Sequence, residues 1–250
     1  MNTLKIFSIA LLSSVTFSFA QDVNQARKAV DAEQYEKAKS ILKSIVKANP
    51  IDGRANFILG NVYLIQTVTD SAKISFQRGL AGTEGSRLNY IGLGTIDLDN
   101  GNTVAAEANF ALALKDTKKK DVEELIAIGR AYTYSNKPNY KKAIEYLNKA
   151  KVINPNDAIV QLALGDAFYG DKNQNDAYAA YRNAFQIDPT LLRAKMQLGV
   201  LLKGAKSYDE AIKSFNEVIA INASYGPVYR ELAETYYKWG RNKPSKSAEY

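Results

Sequence analysis

A short motif that returns every 34 to 36 residues constrains this chain more than any other feature. An apolar residue followed by a small one occurs at Leu59-Gly60, Leu93-Gly94, Ile128-Gly129, Leu164-Gly165, Leu198-Gly199 and Leu232-Ala233. A second small residue recurs in step, as Ala38, Ala72, Ala106, Ala143, Ala177, Ala211 and Ala248. Four residues beyond it stands a large apolar side chain: Leu42, Phe76, Phe110, Leu147, Tyr181 or Phe215. Self-similarity at this period makes each repeat one supersecondary unit. Such a unit buries its apolar face only by stacking on its neighbours.

The unit is clearest over Ala158–Leu191. Leu164, Gly165 and Phe168 mark one apolar helical face, and Ala177, Tyr181 and Ala184 mark another, at spacings of three and four. Polar residues from Gly170 to Asp176 separate the halves, which makes the unit a helix–turn–helix hairpin. The glycine lets two helices approach where a Cβ would hold them apart, and the large residue fills the space between hairpins. Pro50, Pro155 and Pro189 close the second helix, because proline cannot continue the hydrogen-bond ladder. Ser207-Tyr208-Asp209-Glu210 reads as a capping box opening a second helix. The same register puts Thr133 on the solvent side and Tyr229, Leu232 and Tyr236 on the packing face of a helix over Pro227–Trp239.

On these slots the chain resembles the tetratricopeptide repeat family from about Val23 to Tyr250. The resemblance implies an all-α fold: an α-solenoid, or superhelix, of stacked helix–turn–helix tetratricopeptide repeats. Residues 21–250 then form one domain of about six full repeats and a truncated seventh. The resemblance also implies a concave groove, lined by the first helix of each pair, that receives a peptide or partner helix. Projecting the register gives Arg54, Phe57, Asn61, Arg130, Tyr134, Asp166, Tyr169, Arg193, Lys203, Arg230, Glu234 and Tyr237 as groove residues. One branch of the family clamps a C-terminal carboxylate with Lys, Asn and Arg. Asn61 matches one clamp position, whereas Phe57, Thr95 and Leu98 do not.

Residues 1–20 read as a secretory signal peptide: Lys5, a largely apolar run, then Ser18-Phe19-Ala20 as the cleavage signal. The reading places the protein outside the cytoplasm, in the periplasm or cell envelope of a bacterium. The chain carries a net charge of +7, lowered by one when Lys5 leaves with the leader. It contains no histidine and no cysteine. Imidazole bases, thiolate nucleophiles and the usual zinc ligand sets are therefore excluded. No catalytic, cofactor or metal site is expected, and the chain is read as a non-enzyme. Lys118-Lys119-Lys120 read as cations near a helix C-terminus rather than a nucleic-acid patch. Asp97 occupies a slot filled elsewhere by Tyr63, Tyr132, Phe168 and Tyr236, and is expected to be paired or solvated.

The function expected is a non-catalytic scaffold that binds a peptide or protein, with no nucleic acid and no membrane span after leader cleavage. The alternatives are a binder of anionic or saccharide envelope polymers, or the docking module of a longer enzyme or assembly factor. A second helix beginning at Pro244 or Ser245 has too few residues before Tyr250 to cover its neighbour. The open end is thus expected to dock on further repeats or on another chain.

Overall fold

The computed structural model describes residues 22–115 and 122–242. The leader, the run Lys118–Lys120 and the helix expected at Pro244 lie outside the described residues. The chain divides into two compact units, Met1–Lys115 and Asp116–Tyr250. Among the described residues every regular element is a helix.

Unit 1 contains α1 (22–31), α2 (Tyr35–Ala48), α3 (Gly53–Ile65), α4 (Thr69–Gly79), α5 (Ser86–Asp99) and α6 (Thr103–Leu114). Unit 2 contains α7 (Val122–Tyr134), α8 (Tyr140–Ile153), α9 (Ala158–Gly170) and α10 (Gln174–Ile187). It continues through α11 (Leu192–Gly204), α12 (Tyr208–Ile221) and α13 (Gly226–Asn242). From α2 onward, helices adjacent in the chain pack together within each unit. First helices also meet first helices, α3 on α5 and α7 on α9. Each unit is thus a stack of hairpins, as the repeat requires. None of the described helices is long and apolar enough to cross a membrane.

The glycine slots explain the close pairing inside hairpins. A Cβ on Gly60 would overlap the Phe76 ring, and one on Gly94 would overlap Phe110. Gly129 faces Leu147, Gly165 faces Tyr181 and Gly199 faces Phe215 in the same way. The large residue of the second helix therefore lies directly over the glycine of the first. All five large residues are essentially buried.

The turn inside the hairpin is the same in every described hairpin but one, the exception being the longer Ser135–Asn139 turn between α7 and α8. Helix α9 runs through Gly170, so only Asp171–Asn173 separate the halves, a shorter turn than the Gly170–Asp176 expected. Lys172 adopts a left-handed φ of 62°, and Asn173 N–H donates to the Phe168 carbonyl at 2.9 Å. Glu33, Thr67, Gly101 and Lys206 take the same left-handed conformation in their turns. Each is followed by the matching bond back across five residues, which closes the orphan carbonyls of the helix end.

Between hairpins the chain turns through an extended residue before proline. Asn49, Asn154 and Asp188 have φ near −133° and ψ between 89° and 96°. Proline forces this region on the residue before it. Asp52 and Asp157 then cap the next helix, Asp52 accepting from Ala55 N–H at 2.8 Å and Asp157 from Ile159 N–H at 2.8 Å. Where Glu84 replaces the proline, Gly85 supplies the turn at φ 70°. There buried Asn89 donates from its side-chain amide to the Gly53 carbonyl at 2.9 Å, tying α5 to α3.

Three local expectations are corrected. Ser207 holds the N-cap position of α12 but makes no capping bond, because its ψ of 64° departs from the extended geometry a capping box uses. Thr133 is buried, and its hydroxyl donates to the Gly129 carbonyl at 2.9 Å. Packing of α7 by both α8 and α9 leaves only Tyr134 of its last turn exposed. In α13 the buried positions are Pro227, Val228, Thr235 and Trp239, while Tyr229 lies outside with its hydroxyl on the Ala223 carbonyl.

Candidate functional site

In unit 1 the three projected groove residues form no common site. Arg54 pairs with Glu84 at 3.2 Å, at the link between hairpins. Asn61 is half-buried. Phe57 is corrected from groove ring to core residue: it packs on two apolar clusters of the unit, with its ring 6.1 Å from that of Phe76. Asp97 is paired as expected, accepting from the Asn109 amide at 2.9 Å.

In unit 2 the fold gathers Tyr134, Asp166 and Arg193 from three successive first helices. Tyr134 ends α7, Asp166 follows Gly165 in the middle of α9, and Arg193 lies in the first turn of α11. The Asp166 carboxylate is the hub. Its Oδ2 accepts from the Tyr134 hydroxyl at 2.6 Å and pairs with Arg193 Nη2 at 2.9 Å. Its Oδ1 accepts from the Tyr181 hydroxyl at 2.9 Å, and Arg193 Nη2 also donates to the Tyr134 hydroxyl at 2.7 Å.

Asp166, projected onto the groove, is 6% exposed: a buried, fully engaged carboxylate. A buried carboxylate is tolerated only with such partners. Both tyrosine hydroxyls are held well above the ordinary phenol value, first by desolvation and then by the Asp166 charge. Both therefore stay protonated and donate. With its oxygens occupied, Asp166 positions other groups rather than serving as an open base. It fixes Tyr134, which remains 55% exposed, and it fixes the Arg193 guanidinium 6.0 Å from the Tyr134 ring centre.

A second polar cluster joins α11 to α13. Lys203, also projected onto the groove, is buried, and its ammonium lies 2.7 Å from Glu231 and 2.6 Å from Glu234. Burial alone pulls the Lys203 pKa down, but the bonds from the two carboxylates override it and the net direction is up. Glu234 is bonded on its other side by Lys238 at 2.6 Å, and the bonds from Lys203 and Lys238 lower its pKa to about 2.

Of the remaining projected residues, Tyr169, Arg230 and Tyr237 are exposed and Arg130 is half-buried. Arg241 lies 5.8 Å from the Tyr237 ring centre, repeating the guanidinium–ring pairing seen at Tyr134. The reading of the sequence missed Tyr181, Glu231, Lys238 and Arg241 as partners. One signal was present for Tyr181. It is a hydroxylated residue in a slot otherwise filled by Leu or Phe, in the one hairpin with Asp after the glycine. Among the described residues no cluster of acids could hold a metal ion.

Comparison with known proteins concerns the repeats. Tetratricopeptide repeat family models match residues 23–85, 127–157 and 192–225. A TPR repeat-containing protein of Methanocaldococcus jannaschii is 23% identical over 210 residues, covering 80% of this chain and 37% of that protein. Superkiller protein 3 of Schizosaccharomyces pombe is 29% identical over 103 residues, 41% of this chain and 7% of that protein. The chain thus spans well under half the length of these curated relatives. A solved TPR protein of Thermus thermophilus has a TM-score of 0.51 at 16% identity, covering 87% of this chain and 98% of that one. That likeness concerns the fold alone.

Proposed function

We propose that this chain, which carries tetratricopeptide repeats of the kind typical of protein-interaction scaffolds, is an exported non-catalytic scaffold. It holds a peptide or protein partner on the first-helix face of unit 2. The observation that carries the reading is the Asp166 hub. It draws polar groups of α7, α10 and α11 inward and holds Tyr134 and Arg193 in place, while the rings of Tyr134 and Tyr169 remain exposed. Rigid aromatic residues offer contact area at low entropic cost on binding, and tyrosine and arginine dominate interface energetics. Export to a bacterial periplasm or envelope rests on the leader in residues 1–20.

Two measurements test this reading. Peptide mapping of native protein should place the mature N-terminus at Gln21; Met1–Lys5 retained on the bulk of it refutes export. The mature protein, used as bait in envelope extract, should retain a partner that the Tyr134→Ala/Tyr169→Ala double variant loses. An unchanged set of retained proteins removes the assignment of this face.

A further inference from the structure

We propose that the outward face of the second helices of unit 1 docks on an anionic phospholipid bilayer, with an apolar strip of α6 laid into the headgroup region. This surface is separate from the peptide-binding face of unit 2.

The strip stands out against the other second helices. Each carries a buried alanine: Ala38, Ala72, Ala106, Ala143, Ala177 or Ala211. Two residues before it, five of the six helices place a polar, exposed residue: Glu36, Asp70, Lys141, Asn175 or Asp209. Six residues after it, the same five helices place Ser44, Arg78, Lys149, Asn183 or Glu217. Only α6 fills both slots with apolar residues: Val104, 86% exposed, and Leu112, 45% exposed. Ala108 and Ala111 lie exposed between them, and Glu107 is the only charge on the helix. Stacking does not call for this strip. Where α5 packs on α4, Asp70 and Arg78 in the same two slots stay exposed. A contiguous apolar patch on an outward face marks contact with a protein or a membrane.

Charge and size decide between those occupants. Six exposed cations stand on or at the end of these helices: Lys37, Lys43 and Lys47 on α2, Lys73 and Arg78 on α4, and Lys115 after α6. None of the six makes a side-chain hydrogen bond or ion pair with another described residue. Lys43 acts on Glu36 through its charge alone, and Glu36 is bonded instead to Lys39 at 2.7 Å. The remaining acids of the three helices are Asp70, in the first turn of α4 where it complements the dipole, and Glu107. Arg78 and Ile74, the latter 49% exposed, lie one stacking step from Leu112 and Ala108, in the same slots.

A second copy docked on this strip would bring these cations against their own equivalents. The contact would also be small. A helix of 12 residues offers a strip of about 18 Å by 10 Å, far short of the roughly 1,200 Å² that a specific interface buries. An anionic bilayer satisfies both features. Apolar side chains enter the boundary between headgroups and acyl chains, and lysines and arginines beside them are drawn to the lipid phosphates.

The test is co-sedimentation of the mature chain with vesicles, either of phosphatidylcholine alone or of equal parts phosphatidylglycerol and phosphatidylcholine. Binding should be confined to the mixed vesicles. It should fall at least about ten-fold in Lys73→Gln/Arg78→Gln, which removes two of the cations. Val104→Asp/Leu112→Glu should weaken it to a similar degree. That variant installs the residue types that α12 carries in the same slots, Asp209 and Glu217, so folding should survive, and an unchanged helical melt checks that it does. Tyr134→Ala/Tyr169→Ala should bind vesicles like the parent, which keeps this test apart from that of the unit 2 face. Absence of binding to the mixed vesicles overturns the proposal, as does equal binding to phosphatidylcholine alone or an unaltered Val104→Asp/Leu112→Glu. A parent that sediments as a dimer, with no vesicle binding and with a monomeric Val104→Asp/Leu112→Glu variant, also overturns it and assigns the strip to a second copy.

Discussion

Units 1 and 2 share one framework and differ at the slot beside it. In both, a glycine of the first helix lies under a large residue of the second: Gly60 under Phe76 and Gly94 under Phe110 in unit 1, Gly165 under Tyr181 and Gly199 under Phe215 in unit 2. The residue after the glycine is neutral in unit 1, Asn61 and Thr95. In unit 2 it is Arg130, Asp166 or Val200, and Glu234 follows the equivalent Ala233. The framework slot fixes how hairpins close, so it tolerates little. The adjacent slot lies beside that contact rather than under the large ring, so it can carry charge. Unit 2 uses this freedom to build its two polar clusters, whereas unit 1 gathers no such cluster from its projected groove residues.

The comparison first breaks if the framework slots are not equivalent. Gly165→Leu and Gly60→Leu should each destabilise by about 3 kcal/mol, the upper end for overpacking, since each new side chain meets a buried ring. Thermal melts of the two variants should shift alike. A silent Gly60→Leu would mean that the two units close their hairpins differently.

The adjacent slot should behave in the opposite way. Asp166→Ala leaves two hydroxyls and the Arg193 guanidinium without their acceptor. Loss of one partner from a buried pair costs about 3–5 kcal/mol, and partial exposure of Arg193 reduces this to about 2 kcal/mol. Asn61→Ala, the unit 1 counterpart, should stay within about 0.5 kcal/mol. Equal denaturant midpoints for the two variants would remove the distinction between the units. Tyr181→Phe sharpens it further. The ring still covers Gly165 and only one bond to Asp166 is lost, so the cost should be about 1 kcal/mol. A loss as large as that of Asp166→Ala would make Tyr181, not Asp166, the centre of the network.

Hairpin boundaries were legible in the sequence because proline, glycine and alanine stand at fixed offsets, each with a steric reason. The turns were less so. Four of the left-handed positions are Glu33, Thr67, Lys172 and Lys206, which carry no signal of that conformation. Here the repeat imposes the turn and local preference yields. The register brought out Tyr134, Asp166 and Arg193 as residues of one face but not as a bonded group. Periodicity assigns a side chain to a face, yet says nothing of how far it reaches. Phe57 and Thr133 went astray for the same reason, since a second neighbouring helix covers residues that one hairpin alone would leave outside.

The smallest expected effect concerns the clip from α11 to α13. Glu234 titrates near 2 in the folded chain against 4.5 when unperturbed. Its stabilising contribution is therefore complete above about pH 4.5 and is lost as the pH falls from there through about 2. Lys203 has its pKa raised above 10.5, so its contribution is complete below that value and is lost as the pH rises through the folded pKa. The clip is thus fully formed between those limits. The Glu234 side chain is 43% exposed, and solvent screening of such a pair holds its worth to about 0.2–1 kcal/mol. Glu234→Gln removes the titration while nearly keeping the shape. Acidification from pH 6 to about 2.5 should therefore lower the thermal midpoint of the parent protein more than that of the variant, by about 1–3 °C for a chain of this size. The same pair of melts at pH 6 and 8 should show no such difference, since neither group titrates in that interval. Identical acid responses in parent and variant would mean that burial of Val228, Thr235 and Trp239 holds α13 in place without help from the clip.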